Sequence, residues 1–266
     1  MKRISVDLYW KLSNENSELI NDMIKKKRFY FEPEELIYHD NLPFEKGLIE
    51  FSRIDFTQSE PINVIINGKN NQKEKRDRLY FSVSDWGRHK MIKIAIACSV
   101  CFNWEMTFIQ DFLCIPELIC CFVYDNEDEF FQSQESINYY THNGLDISNL
   151  KQTTDRIGRR VIDISRNFGR SKQAIGVKFI AGAKMYFGEI FFKIIPQDRL
   201  SGFYFENKYG HNKLYEVQLF ELFSDDIQLK RKKQQVFMQN TGMFETAEYL
   251  KTNFRGTVAA VNYLGI

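Results

Sequence analysis

Proline and glycine are scarce, five and fourteen in 266 residues, which leaves no room for a long flexible linker. Long apolar runs are missing too. The most apolar stretch, Met91 to Phe102, is short and carries Lys93. A membrane span needs roughly 18–20 apolar residues, so no membrane contact is expected. Charge of one sign is not in excess: 36 Lys and Arg face 35 Asp and Glu, a formal net charge of +1. That balance argues against a surface built as a whole for nucleic acid, and leaves room for a local basic patch. Cysteines are few and odd in number, five. Lys2 and Arg3 lead into an alternating segment and not into the apolar core of a secretory signal. Reduced thiols and a cytoplasmic location are the expectation. Catalytic signatures are also missing, with no GxSxG, HExxH or P-loop, and His39, His89, His142 and His211 are scattered.

What the chain has in plenty is aromatic side chains, 24 Phe and 13 Tyr. Such rings fill cores and anchor interfaces. Ile4 to Trp10 alternates and reads as a strand. Ser13 caps a helix to about Lys27, whose end carries Lys25, Lys26, Lys27 and Arg28 where positive charge suits the helix dipole. Leu48–Ile54, Ile62–Ile66 and Leu79–Val83 read as strands, with a turn at Asn67-Gly68 and a polar loop over Lys69–Arg78. A helix from Ser84-Asp85 to Ala97 is expected, although its isoleucines also suit a strand. Trp104–Phe112 and Cys114–Tyr124 read as buried strands. Asp125 caps a helix ending near Asn143-Gly144, and Asp146–Gln152 is the connector that follows.

Further on, Val177–Phe187 and Glu189–Ile195 read as paired strands, which would put Glu189 and Lys193 on one face. Phe203–Glu206 and Leu214–Phe220 flank a turn at Tyr209-Gly210-His211-Asn212 and read as a hairpin. Ser224 opens a helix carrying Lys230, Arg231, Lys232 and Lys233 and closed by Gly242, and Met243–Phe254 forms a last short helix. Together these define an α+β fold with mixed, largely antiparallel sheets and about five to six helices packed against them. The expected organisation is one large domain over residues 1–266, with an internal boundary near 144–152.

Thr153 to Gly169 draws the most attention. On a helix, Arg156, Arg159, Arg160, Arg166 and Arg170 fall within an arc of about 120°, while Ile157, Val161, Ile164 and Phe168 gather on another arc. Such a face binds phosphates or carboxylates through guanidinium forks, and Lys172 extends it. Asp163 projects from its middle and would pair part of the charge. Ile164-Ser165, Phe168-Gly169-Arg170-Ser171 and Ala174-Ile175 resemble a helix-turn-helix over about twenty residues, with Gly169 at the turn and Ser171 as a cap. That resemblance implies a second helix entering the major groove. Arg170 departs from it, since the pattern has an apolar residue there, and Gly176 weakens the second helix.

Asp85, Arg88, His89 and Lys90 form a second polar group, at an expected strand-to-helix junction that could hold an anion. Cys98-x-x-Cys101 lacks the second pair a zinc site needs, and Cys114, Cys120 and Cys121 do not supply it. Asp125, Glu127, Asp128 and Glu129 lack the glycine turn and distal Glu of a calcium loop, and capping explains them. No catalytic residue, metal site or cofactor is therefore expected.

Two functions fit. The first is a non-catalytic interaction protein with a protein partner, of the kind that neutralises a toxin in a bacterial cytoplasm or serves another defence role, using aromatic and arginine anchors. The second is a nucleic-acid-binding or processing protein that uses the arginine face, with Lys230–Lys233 as a second contact.

Overall fold

A computed structural model describes residues 2–26, 31–57, 60–68, 76–100, 107–144, 146–148 and 150–266. The elements run β1 (Lys2–Lys11), α1 (Asn14–Lys25), β2 (Pro33–Ile37), β3 (Asn41–Pro43), α2 (Phe44–Phe51), β4 (Ile62–Gly68), β5 (Arg78–Trp86), β6 (His89–Val100), α3 (Thr107–Leu113), β7 (Leu118–Asp125), α4 (Asn126–Ser133) and α5 (Ile137–His142). Then come β8 (Gln152–Thr154), β9 (Arg160–Ile162), β10 (Lys172–Ala174), β11 (Val177–Phe179), β12 (Lys184–Phe187), two 3-10 turns (Glu189–Lys193 and Gln197–Leu200), β13 (Phe205–Tyr209), β14 (Asn212–Gln218), α6 (Ile227–Thr241), α7 (Met243–Asn253) and α8 (Thr257–Tyr263).

Ten strands make one sheet in the order β13-β14-β12-β7-β1-β6-β5-β4-β2-β3, and every pairing in it is antiparallel. It takes strands from both sides of the 144–152 connector. Alternation along β1 sends Ile4, Val6, Leu8 and Trp10 to one face, against Ile20 and Ile24 of α1, Phe44 and Phe51 of α2, and Phe112 of α3. Tyr9 points the other way, into a second core with Trp86, Phe122, Phe187, Phe191, Phe237, Met243 and Val261. Central β7 is buried on both faces: Cys121 and Val123 enter the first core, Cys120 and Phe122 the second. The sheet is thus the middle layer between two sets of helices, and each set buries one apolar stripe.

Local signals explain much of this. Ser13 Oγ accepts from Asn16 N while Asn16 Oδ1 accepts from Ser13 N, a reciprocal cap on α1. Asp125 Oδ1 takes Glu127 N and Asp128 N at the start of α4, and Gly242 (φ +62°) closes α6. Gly87 (φ +65°) and Gly210 (φ +58°) each stand first in a two-residue hairpin loop, β5–β6 and β13–β14. That position favours positive φ in the turn that matches strand twist.

Several expectations are corrected. Among the described residues there are eight α-helices, not five to six. Leu48–Ile54 belongs mostly to α2, and Thr107–Phe112 to α3, whereas 104–106 lie outside the described residues. The helix expected over 84–97 is instead the end of β5, the Gly87-Arg88 loop and most of β6, where Ile92, Ile94 and Ile96 alternate with Lys93, Ala95 and Ala97. Helix 125–143 divides into α4 and α5, and Glu189–Ile195 coils as a 3-10 turn, so Glu189 and Lys193 share no strand face. Asn67-Gly68 ends β4 instead of turning, and α8 was not expected. Lys27, Arg28, Cys101 and the loop over 69–75 lie outside the described residues. Among the described residues no helix is long and apolar enough to cross a membrane.

Candidate interaction surface

The arginine face is not helical. Gln152–Thr154 and Arg160–Ile162 pair as a small antiparallel hairpin. Its tip is built by Asp155, whose Oδ1 accepts from Ile157 N (3.0 Å) and Arg159 N (2.9 Å), with Gly158 at φ +84°. A side chain that takes two nearby amides offers the backbone an alternative to the helix. The helix-turn-helix is overturned with it. Residues 163–171 form turns, and the expected second helix is the β10–β11 hairpin around Gly176 (φ +78°).

The six cations therefore scatter. Arg159 is tied to Asp155 through Nε (2.8 Å) and Arg160 to Gln152 (2.6 Å). Asp163 pairs with none of them: it takes Ser165 N (3.0 Å) and Lys151 (2.9 Å). Those contacts hold its carboxyl well below the usual range. Arg170 is half-buried and folds back, its Nη1 donating to the carbonyls of Ile164, Ser165 and Asn167 at 2.8–2.9 Å. Its guanidinium sits over the Phe244 ring, 4.5 Å from the centroid, and serves local structure as much as any ligand. Lys172 lies over the same ring (5.3 Å) and bridges to Glu248 (3.1 Å). Hydrogen bonding to Lys172 lowers the Glu248 carboxyl, and Arg156 adds to this from the hairpin tip. Arg156 and Arg166 are exposed, and neither makes an ion pair among the described residues.

Two of the predicted residues, Arg170 and Lys172, thus meet α7. Between it and the 163–172 segment lies a shallow groove of about 630 Å³, lined by Phe168, Arg170, Lys172, Phe244, Glu248 and Tyr249 among others. Beyond it the surface is aromatic. Tyr249 is 6.1 Å from Phe254 and 6.4 Å from Tyr263, and Phe254 lies 4.7 Å from Tyr263, ring to ring. Tyr249 is 48% exposed, Tyr263 60% and Val258 43%, and Ile157 reaches 73% at the hairpin tip. A second hollow, about 220 Å³, continues the patch past Phe254 to Ile175 and Thr257. Sequence reasoning missed Phe244, Glu248, Tyr249, Phe254 and Tyr263. The signal was the recurrence of aromatics at 244, 249 and 254 in a segment otherwise read as a plain terminal helix.

The second polar group, Asp85 to Lys90, is the tip of the β5–β6 hairpin and not a strand-to-helix junction, so no helix N-terminus is there to hold an anion. Asp85 stands opposite Lys90, with Nζ 3.3 Å from Oδ1. Arg88 is in the loop and His89 is exposed, its pKa lowered by burial and then by Lys11. Gly87 touches Val261 of α8, and the fully buried Trp86 donates to Ile175 O (2.9 Å). The tip is therefore a structural dock for α8.

The basic run on α6 is also partly spent. Lys230 and Arg231 both bridge to Asp128 of α4, and only Lys232 and Lys233 remain beside a hollow with Leu229 and Val236. Cys98 is buried, and that burial pushes its thiol up to about 12. Among the described residues no three His, Cys, Asp or Glu side chains converge as metal ligands. The chain matches no protein-family model and no curated protein.

Proposed function

We propose that the chain is a non-catalytic protein-binding protein whose contact surface is the α7–α8 face with the adjoining groove. The observation that carries this reading is the pair of exposed tyrosines, Tyr249 and Tyr263, packed on the half-buried Phe254 beside Arg170 and Lys172 on the Phe244 ring. Aromatic rings and arginines supply most of the energy at protein interfaces, around a water-excluded centre. Arg156 and Arg166 at the rim suit a partner that presents carboxylates. A rim of this kind speeds encounter more than it adds affinity. Neutralising a toxin, or another defence role, is the specific form of this reading.

The test is affinity capture from the source cells with and without nuclease, using the wild type, a Tyr249→Ala/Tyr263→Ala double variant and a control, Ile49→Ala, on the exposed face of α2. One protein retained at stoichiometric level by wild type and control, insensitive to nuclease and lost by the double variant, is the expected result; its identity decides the toxin question. Equal capture by all three would move the interface elsewhere. Recovery of nucleic acid, with proteins lost on nuclease treatment and binding that falls steeply with salt, would replace this reading with the nucleic-acid one.

A further inference from the structure

The two ends of the ten-stranded sheet differ. At one end β3 is three residues long and finishes in Pro43, a blunt edge that offers little to pair with. At the other end β13 runs Phe205-Glu206-Asn207-Lys208-Tyr209 without proline, and every residue but Tyr209 is exposed. Tyr209 and Asn212 close the two-residue loop, so they form a hydrogen-bonded pair. Alternation then turns Phe205, Asn207 and Tyr209 toward β14 through their main-chain groups. The main-chain groups of Glu206 and Lys208 face outward. In agreement, the Lys208 N–H is outside the ladder and donates to Asn207 Oδ1 (2.9 Å).

We infer that β13 pairs antiparallel with β13 of a second copy of this chain, about a two-fold axis at Asn207, to join two sheets into one. The argument is one of register. Outward groups must oppose outward groups, which leaves three central alignments. One sets Glu206 on Glu206 and another sets Lys208 on Lys208, and like charges directly opposite destabilise a strand pair. The third sets Glu206 on Lys208 twice, and also places Phe205 opposite Tyr209, an aromatic pair. The edge is thus complementary to itself in a single register. An isologous joint of this kind closes as a dimer and cannot grow into a fibre. Lys208 makes no ion pair among the described residues, while Glu206 bridges to Lys213 on its own hairpin (2.9 Å) and would lie between two ammonium groups. The Asn207 contact to the Lys208 N–H is exchanged for the inter-strand bond. This surface is separate from the α7–α8 face, so the two readings stand or fall independently. A five-residue joint is small beside the roughly 1,200–2,000 Å² of a standard interface, and the dimer is accordingly weak.

The experiment is sedimentation equilibrium on the purified chain over a concentration series to about 1 mM, with circular dichroism as the folding control. The wild type is expected to dimerise reversibly. Lys208→Glu, which turns both pairs repulsive, should weaken the dimer at least about tenfold, and Glu206→Lys should do the same. Either the Glu206→Lys/Lys208→Glu double variant or an equimolar mixture of the two single variants should restore association, because opposite charges again face each other. Glu206→Lys also repels Lys213, so Lys208→Glu and the mixture decide the matter if that hairpin is disturbed. A wild type that stays monomeric throughout, including one that binds only a different chain at this edge, overturns the proposal. So does a dimer indifferent to both charge variants.

Discussion

Replacing Gly169 with alanine should damage the fold out of proportion to one methyl group. Gly169 sits against two buried amides, Gln132 and Gln234, and a Cβ there would collide with the Nε2 of both. Those amides are already committed. Gln132 Oε1 accepts Gly169 N (2.8 Å), and its Nε2 donates to Asp128 Oδ2 (3.1 Å) and Gln234 Oε1 (3.4 Å). Gln234 Nε2 in turn donates to Ala181 O (3.2 Å). Moving Gln132 aside leaves about two buried polar groups unpaired at roughly 1–3 kcal/mol each. The stiffer unfolded chain returns only about 0.4–1 kcal/mol. The net loss is about 1–5 kcal/mol, and with a urea slope near 3 kcal/mol/M for a chain of this size the midpoint should drop by about 1 M. Urea unfolding followed by circular dichroism measures it. Gln132→Ala provides the check: it removes the nearer of the two obstructing side chains, so Gly169→Ala should cost less in that background than in the wild type, with the contact to Gln234 remaining. A loss below about 1 kcal/mol, or strictly additive costs, would refute the reasoning. The same glycine anchors the segment that carries Arg166, Arg170 and Lys172, so partner capture should weaken as well.

Two further outcomes follow from neighbouring contacts. Burial raises the Asp128 carboxyl, but Arg231 and Lys230 outweigh it and the net shift is downward. Its stabilisation is therefore present above the ordinary carboxylate pKa of about 3.9 and is lost as pH falls through the lower folded value; Asp128→Asn should cost about 3 kcal/mol at pH 7 and flatten the acid limb, read from urea midpoints at pH 7 and 3. Trp86→Phe keeps most of the buried ring but orphans the Ile175 carbonyl, and a loss of roughly 1–3 kcal/mol in the same assay is expected, with a change in the packing of α8 visible in amide exchange.

Legibility in the sequence followed how locally each element is specified. β1, α1 with its Ser13 cap, the Gly210 hairpin and α6 with its Gly242 stop all carry period and punctuation within a few residues. The arginine segment failed because charge spacing was allowed to outrank turn chemistry: Asp155 and Gly158 are three apart, a turn signature inside a stretch read as helix. β6 was misread for a related reason, since Gly87-Arg88 is a hairpin loop and the isoleucines after it alternate strictly. The candidate surface was half legible. Arg170 and Lys172 were named, but the aromatic ring they meet, Phe244, lies about 70 residues further along, and only tertiary packing brings α7 to the 163–172 segment.

The place of β1 in the sheet has a consequence for synthesis. It is made before its neighbours yet lies between β6 and β7, whose paired residues run to Val100 and Asp125. On a ribosome that adds about 5–20 residues per second, β1 waits roughly 5–20 s for β6 to emerge, and longer for β7. Through that interval Val6, Leu8 and Trp10, fully buried once folded, have no sheet to join. Closing so long a loop is also entropically slow. The nascent chain should therefore be a client for a holdase that binds short apolar strands, and conditions that slow translation of the first hundred residues should lower the soluble yield more than any change near α7 or α8.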